Sequence, residues 1–193
     1  MLKKTPSQDS NSNPSFIGIY DNVLSAEECD ELISFFHSSD KRMGGFQSKQ
    51  GYVVDYEIKK NVEINNAFLS KTPEIAPKTI CNCIRKYKKE YSSLDHIFKW
   101  QLQNDYTFQM LEGKDDGYKQ WHTEHCPGEL SKRILAWMIY LNDAESGTEF
   151  MHFPTVEAKQ GRCIIWPSAF THLHRSVPNK SLKYIMSGWF SFV

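Results

Sequence analysis

The chain has 193 residues, 40% of them hydrophobic, and its 23 basic residues balance its 23 acidic residues. This length can bury one sizeable core but is short for two domains of ordinary size, so we expect a single domain over residues 15–193. The neutral balance provides no broad basic field, which argues against non-specific binding of nucleic acid.

Cysteine usage and hydrophobic patterning indicate a cytoplasmic protein. The five cysteines are odd in number and scattered, which fits a reducing compartment better than a secreted disulfide framework. No apolar run approaches the roughly 18 residues that a membrane span needs, and the N-terminus lacks the apolar segment of a signal peptide. We therefore expect no membrane partner.

The first third of the chain predicts one strand and one helix. Residues 1–14 are polar and rich in Ser, Asn and Pro, which predicts a disordered tail. Residues 16–20 predict the first strand. Ser25 then caps a helix, and Glu28 three residues later completes a capping box. The expected buried stripe of this helix consists of Cys29, Leu32, Ile33 and Phe36.

A loop and a second helix follow. Residues 43–54 include a pair of adjacent glycines, at positions 44 and 45, and predict a flexible loop or hairpin. The second helix is predicted over residues 77–91. Its expected apolar face consists of Ile80, Ile84, Tyr87 and Tyr91. The basic cluster at residues 85–89 falls on this helix and is most simply its solvated face.

From residue 97 onward the sequence predicts β-structure. Short apolar segments alternate with turn residues, as a closed or sandwiched β-architecture requires, so we place the core at about residues 97–193. Residues 133–142 form an apolar run dense in β-branched and aromatic side chains, which suits a buried strand. The predicted fold class is mainly β with flanking helices.

Three residues in this region have the chemistry of an open iron site. On a strand, His122 and Glu124 point to the same face, so an imidazole and a carboxylate can approach one point. A second histidine from a distant strand, His172 or His174, would complete the set. Two imidazoles and one carboxylate leave coordination positions free, as in non-haem Fe(II) oxygenases.

The order of these parts resembles the Fe(II)/2-oxoglutarate-dependent dioxygenases, specifically their prolyl-4-hydroxylase-like branch. In that family a tryptophan precedes His-x-Asp, a Tyr-Leu-Asn strand follows, and a Gly-Thr-x-Phe turn and a Gly-Arg strand lead to the distal histidine. The similar segments here are Trp121–Glu124, Tyr140–Asn142, Gly147–Phe150 and Gly161–Arg162. The offset from His174 to Pro178 also matches the family and favours His174 over His172, which then becomes a pocket or structural residue.

The resemblance implies a fold, a set of cofactors and a reaction. The fold is a double-stranded β-helix, a jelly-roll or cupin-like structure, with the N-terminal helices packed on the outer sheet. The cofactors are Fe(2+), 2-oxoglutarate and O2, with ascorbate as a reductant. The enzyme would hydroxylate an unactivated C–H bond and release succinate and CO2. The substrate would be a prolyl residue of a peptide or protein; a small molecule or free amino acid is the alternative.

The resemblance also assigns residues. Iron would be bound by His122, Glu124 and His174. Lys183 would pair with the distal carboxylate of 2-oxoglutarate, which would otherwise be a buried, unpaired charge. The family often places a tyrosine near the cosubstrate where this chain has Leu111 or Glu112. The candidates for that hydroxyl are therefore Tyr106, Tyr118 and Tyr140.

Departures from the family pattern leave alternatives open. Glu124 stands where the family usually has Asp, and Lys183 follows His174 by one residue fewer than usual. A metal-dependent hydrolase on a cupin-like barrel, or a non-catalytic jelly-roll binding module, would use the same residues differently. His125 and His152 are either pocket residues or solvated loop histidines. Four tryptophans either wall a pocket or fill the core: Trp121, Trp137, Trp166 and Trp189.

Overall fold

The computed structural model describes residues 14–48, 51–69 and 71–193. Within these ranges the chain forms two α-helices, α1 (Ala26–Ser38) and α2 (Ile75–Glu90). The strands are β1 (Gly18–Tyr20), β2 (Arg42–Met43), β3 (Phe46–Ser48), β4 (Gly51–Val53), β5 (Lys59–Lys60), β6 (Val62–Asn65), β7 (Trp100–Leu111), β8 (Gly117–Tyr118), β9 (Arg133–Tyr140), β10 (Gly147–Phe150), β11 (Phe153–Glu157), β12 (Arg162–Pro167), β13 (His174–Ser176) and β14 (Lys183–Phe192). The tail predicted over residues 1–14 lies, apart from Pro14, outside the described residues.

Antiparallel pairing organises these strands into one large sheet and a small one. The large sheet has the order β1-β12-β9-β14-β7-β6-β2, and the small sheet has the order β11-β10-β13. Strands β3 and β4 form a separate hairpin, within the segment predicted as a loop or hairpin, and β5 pairs with β8. The core strands β9, β14 and β7 are adjacent although they are far apart in the sequence.

Two hydrophobic clusters lie on opposite faces of the large sheet. On one face, α1 and α2 contribute Leu32, Phe36, Ile80 and Tyr87, which pack with strand residues that include Phe108 and Met186. The other cluster joins the two sheets: Ile164, Trp166 and Ile185 of the large sheet lie in it together with Phe150 and Val156 of the small sheet. This confirms the predicted mainly β, jelly-roll class with helices on the outer sheet.

Local sequence signals account for both helices. The Ser25 hydroxyl accepts a hydrogen bond from the Glu28 amide at 3.2 Å, and the Glu28 carboxylate accepts one from the Ser25 amide at 2.8 Å, so the capping box is formed. Helix α2 begins two residues earlier than predicted. Of the predicted stripes, Ile33 and Tyr91 are half-buried whereas the other members are buried. In the described part of the chain, no helix combines the length and apolar character needed to cross a membrane.

Strand β14 places side chains on both faces of the large sheet. Its residues Tyr184, Met186 and Phe190 pack in the helix-side cluster, whereas Ile185 packs in the cluster between the sheets. Because side chains alternate along a strand, Lys183 and Trp189 share the face of Ile185. The inner face of β14 therefore has a cationic residue at one end and an indole at the other.

Candidate metal centre

His122 and His174 are held side by side by a β-bridge. The His122 amide donates to the His174 carbonyl at 3.1 Å, and the His174 amide donates to the His122 carbonyl at 3.0 Å. The centroids of the two imidazole rings lie 4.3 Å apart. Backbone pairing thus brings His174, the predicted second histidine, next to His122.

Backbone carbonyls also fix the orientation of both rings. His122 Nδ1 lies 3.0 Å from the Gln120 carbonyl, and His174 Nδ1 lies 3.0 Å from the His172 carbonyl. A carbonyl only accepts hydrogen bonds, so we assign the proton of each neutral ring to Nδ1. Each Nε2 then keeps its lone pair, which is the form in which histidine binds a metal.

Glu124 completes a three-residue cluster. Its Oε1 atom lies 3.4 Å from His174 Nε2 and 3.8 Å from His122 Nε2, and one donor atom from each residue lies within 4.8 Å of the others. Donors bound to one metal at about 2.1 Å lie roughly 3 to 3.5 Å apart. The donor set and its spacing fit a divalent metal after a small contraction.

The protonation states also fit metal binding. Burial, together with the neighbouring His174, lowers the pKa of His122 to about 3. Burial raises the pKa of Glu124, but its interactions with His174, His122 and Arg133 outweigh this and hold the pKa well below its usual range. A neutral imidazole and an ionised carboxylate are the ligand forms that a metal requires.

A cavity of about 530 Å³ adjoins the cluster. His122, Glu124 and His174 line it, and the ring of Tyr118 stacks on His122 with centroids 3.6 Å apart. Three of the predicted tryptophans also line it: Trp137, Trp166 and Trp189. Trp121 is not among the lining residues; the Arg175 guanidinium lies over its ring at 4.4 Å.

Lys183 is buried and shares the face of β14 that carries Ile185, but unlike Ile185 it is not among the residues that line the cavity. Its Nζ donates to the Ser146 hydroxyl at 2.7 Å, and no carboxylate of the described residues lies within ion-pair distance of it. Burial lowers the pKa of this lysine to about 8. A buried ammonium that is paired with a single hydroxyl retains donors for an incoming anion.

The three candidate tyrosines have different positions. Tyr118 lines the cavity, and the buried Tyr140 hydroxyl lies 2.7 Å from the hydroxyl of Thr148, which also lines it. Tyr106 instead packs in the helix-side cluster beside Phe108, so its expected place near the cosubstrate is wrong. The reason is the two-residue period of β7, which directs Thr107 rather than Tyr106 to the cavity.

The remaining histidines lie outside the cluster. His172 is buried, its Nε2 lies 2.8 Å from the Ser15 carbonyl, and its ring stacks on Phe153, so it has a structural environment. His125 and His152 are exposed, and neither lines the cavity.

Two features of the cavity were not predicted from the sequence. The indole of Trp189 donates to Glu124, and a second carboxylate, Glu63, is buried in the wall. Glu63 accepts hydrogen bonds from four side chains: Arg42 at 3.0 Å, Tyr52 at 2.9 Å, Lys59 at 3.1 Å and Asn61 at 3.3 Å. Lys59 and Asn61 are near Glu63 in sequence, but no local pattern signals the contacts with Arg42 and Tyr52, which come from other segments.

Residues 107–191 match the family model of the 2OG-Fe(II) oxygenase superfamily. No curated protein is similar enough in sequence to count as a relative.

Similar solved structures support the fold. A collagen prolyl hydroxylase of Paramecium bursaria Chlorella virus-1, solved with 2OG, has 20% identity and a TM-score of 0.61, over 92% of this chain and 97% of that one. A Pseudomonas putida prolyl-4-hydroxylase has 13% identity and a TM-score of 0.62, over 93% and 94%. A Trichoplax adhaerens prolyl hydroxylase in complex with a hypoxia inducible factor peptide fragment has 13% identity and a TM-score of 0.63, over 92% and 84%.

The Glu63 network predicts a large loss of stability when its charge is removed. We expect Glu63→Gln to lower the free energy of unfolding by about 3 kcal/mol at pH 7, because Lys59 and Arg42 lose their buried counter-charge. Glu57→Gln, on an exposed neighbour, is the control and should change little. Chemical denaturation measures both; an equal effect of the two variants would contradict the prediction.

The Glu63 network also makes the stability of the protein depend on pH. Burial raises the pKa of Glu63, but Lys59, Tyr52 and Asn61 together outweigh burial and lower it below 4.5. A lowered folded-state pKa gives stability that is present above the unfolded value and lost as pH falls through the folded value. The difference between wild type and Glu63→Gln should therefore shrink below pH 4.5.

Proposed function

We propose that this chain, whose residues 107–191 match the 2OG-Fe(II) oxygenase superfamily, is a dioxygenase that acts on a prolyl residue of a peptide or protein. The family match and the His-Glu-His cluster support the Fe(2+)-, 2-oxoglutarate- and O2-dependent activity. The substrate and the role of each residue are the proposal. The observation that carries it is the convergence of two imidazole Nε2 atoms on one carboxylate oxygen beside a cavity.

Iron would be held by His122, Glu124 and His174. Two neutral imidazoles and one carboxylate occupy one side of a metal and leave positions for a cosubstrate and O2. When bound, iron and 2-oxoglutarate supply the oxidising chemistry, in which succinate and CO2 are released as the substrate gains a hydroxyl group. The protein's residues orient the partners and keep water from the reacting centre.

Lys183 would bind the distal carboxylate of 2-oxoglutarate. It shares the inner face of β14 with the cavity-lining Ile185, and within the described residues it has no carboxylate partner. The Thr148 hydroxyl, which lines the cavity and lies 2.7 Å from the Tyr140 hydroxyl, is a further donor. A hydrolase has no need of a buried cation at this position, so Lys183 favours the oxygenase over that alternative.

The shape and lining of the cavity support a peptide substrate. Hairpin β3–β4 contributes Phe46 and Tyr52 to the cavity wall, and Phe68 stands 75% exposed on the same wall. Exposed aromatic rings beside a cavity can hold an extended peptide while one ring of the peptide enters. The similar structures with 2OG and with a peptide fragment are prolyl hydroxylases, which supports the same class here.

The iron site predicts which variants lose turnover. We expect the purified protein to convert 2-oxoglutarate to succinate only when Fe(II) is present, and His122→Ala or His174→Ala to lose at least 100-fold of this turnover, in line with removal of a metal ligand. His152→Ala, which changes an exposed histidine, should keep wild-type turnover. Turnover that survives both ligand substitutions would exclude this metal site.

Lys183 predicts opposite effects on stability and on binding. Because the pKa of Lys183 is about 8 when folded and 10.5 ordinarily, the folded chain binds fewer protons between these pH values. The free energy of unfolding of the 2-oxoglutarate-free protein should therefore rise with pH across this window. At pH 7 Lys183→Met should stabilise that form by up to about 3 kcal/mol and raise the KM for 2-oxoglutarate at least tenfold.

Lys180→Met is the matched control for this experiment, since Lys180 is exposed on the preceding loop. It should change neither the stability of the protein nor its KM for 2-oxoglutarate. Thermal unfolding measures the first and succinate production the second. A Lys183→Met protein that is less stable and binds 2-oxoglutarate normally would refute the assignment.

The substrate class is tested by mass spectrometry. Proline-containing peptides incubated with the protein, Fe(II), 2-oxoglutarate and ascorbate should gain one oxygen atom, about 16 Da, on proline. The same peptides with His174→Ala are the control. Oxygen transfer to free amino acids or small molecules, with none to peptides, would replace the peptide by the alternative substrate class.

A further inference from the structure

We propose that Trp189 and Arg133 are positioning residues that hold one oxygen of Glu124 so that only the other can reach the metal, and that this arrangement is why the chain uses glutamate. The inference rests on the proposed metal site. It concerns the ligand that departs from the family pattern.

The two oxygens of Glu124 have separate partners. Oε1 faces the two imidazoles, at 3.4 Å from His174 Nε2 and 3.8 Å from His122 Nε2. Oε2 accepts a hydrogen bond from Trp189 Nε1 at 2.8 Å and lies 3.5 Å from Arg133 Nη1. A metal bound between the imidazoles would therefore meet a single carboxylate oxygen.

Arg133 and Trp189 support each other. The guanidinium of Arg133 lies over the Trp189 ring, 3.4 Å from its centroid, and the Arg133 side chain is 12% exposed. Such a cation over an indole face restrains both groups. The stack is placed by the sheet: Trp189 of β14 pairs with Ala136 of β9, and a register irregularity brings Ser191 opposite Arg133.

The length of glutamate is what lets both contacts exist at once. The carboxylate lies between the imidazole pair on one side and the indole N–H on the other, so it must extend to both. An aspartate at this position is one methylene shorter. It would have to give up either the Trp189 hydrogen bond or its approach to the two Nε2 atoms, unless the backbone moved.

The arrangement also separates two possible roles of Trp189. As a wall of the cavity, the indole would act on the substrate through its ring face. As a positioning residue, it acts on Glu124 through its N–H. Trp189→Phe keeps a ring beneath Arg133 and removes the N–H, so metal affinity distinguishes the two roles without any turnover measurement.

We expect Trp189→Phe to weaken Co(II) binding 10- to 100-fold, the usual effect of losing a hydrogen-bond partner of a ligand. Glu124→Asp should weaken it by a similar factor. The double variant should bind no more weakly than Glu124→Asp alone, because Trp189 acts through the glutamate. Co(II) titration followed by visible absorbance measures all three proteins, with circular dichroism as the check on folding.

Trp100→Phe is the matched control. Trp100 is half-buried, donates its indole N–H to the Leu94 carbonyl and has Lys88 over its ring, but it belongs to the helix-side cluster. It should leave Co(II) affinity unchanged. Wild-type Co(II) affinity in Trp189→Phe, or fully additive losses in the double variant, would overturn the inference.

Failure of the metal site itself gives a different result. If His122→Ala and His174→Ala retain wild-type Co(II) affinity, the proposed metal site is wrong. If they abolish Co(II) binding while Trp189→Phe does not weaken it, the site stands and only the positioning role is lost. If Trp189→Phe raises the substrate KM alone, the indole is a cavity wall.

Discussion

The site depends on one β-bridge, in which His122 and His174 exchange backbone hydrogen bonds outside the regular ladders of either sheet. The bridge sets the distance between the two rings, and the carbonyls of Gln120 and His172 set their rotation. Main-chain contacts thus set the spacing and the rotation of the imidazole pair, and the ring of Tyr118 stacks on His122. Glu124 has no such backbone device, since its carboxylate is oriented by the side chains of Trp189 and Arg133. Substitutions of neighbouring side chains should therefore displace Glu124 more than they displace His122 or His174.

Strand β14 links that carboxylate to Lys183. Trp189 and Lys183 share one face of the strand, and the register that pairs Lys183 with Leu111 also pairs Trp189 with Ala136. A slip of one residue would turn both side chains toward the helices, because side chains alternate along a strand. The apolar packing of Tyr184, Met186 and Phe190 against the helix side opposes that slip. The helices therefore maintain the cavity although they do not contact it.

The parts that sequence analysis predicted are those with a local signature. The capping box at Ser25, the apolar face of α2 and the pairing of His122 with Glu124 each follow from spacings of a few residues. The expectation that Tyr106 lies near the cosubstrate was wrong. A sequence shows that side chains alternate along a strand, but it does not show which of two neighbours, Tyr106 or Thr107, points to the cavity. The contact between Trp189 and Glu124 spans 65 residues, and the Glu63 network joins Arg42 and Tyr52 to residues 59–63. Such contacts depend on strand order and register, which no local pattern encodes.

Two buried charges in this protein illustrate how partners distinguish structural from functional groups. Glu63 is 2% exposed and accepts hydrogen bonds from four side chains, so its burial is compensated within the fold. Lys183 is 1% exposed and donates to a single hydroxyl. An ammonium so placed opposes folding until an anion reaches it, and a fold retains such a group where binding of that anion is needed. By this reasoning the incompletely paired lysine, rather than the fully paired glutamate, is the proposed partner of the cosubstrate carboxylate.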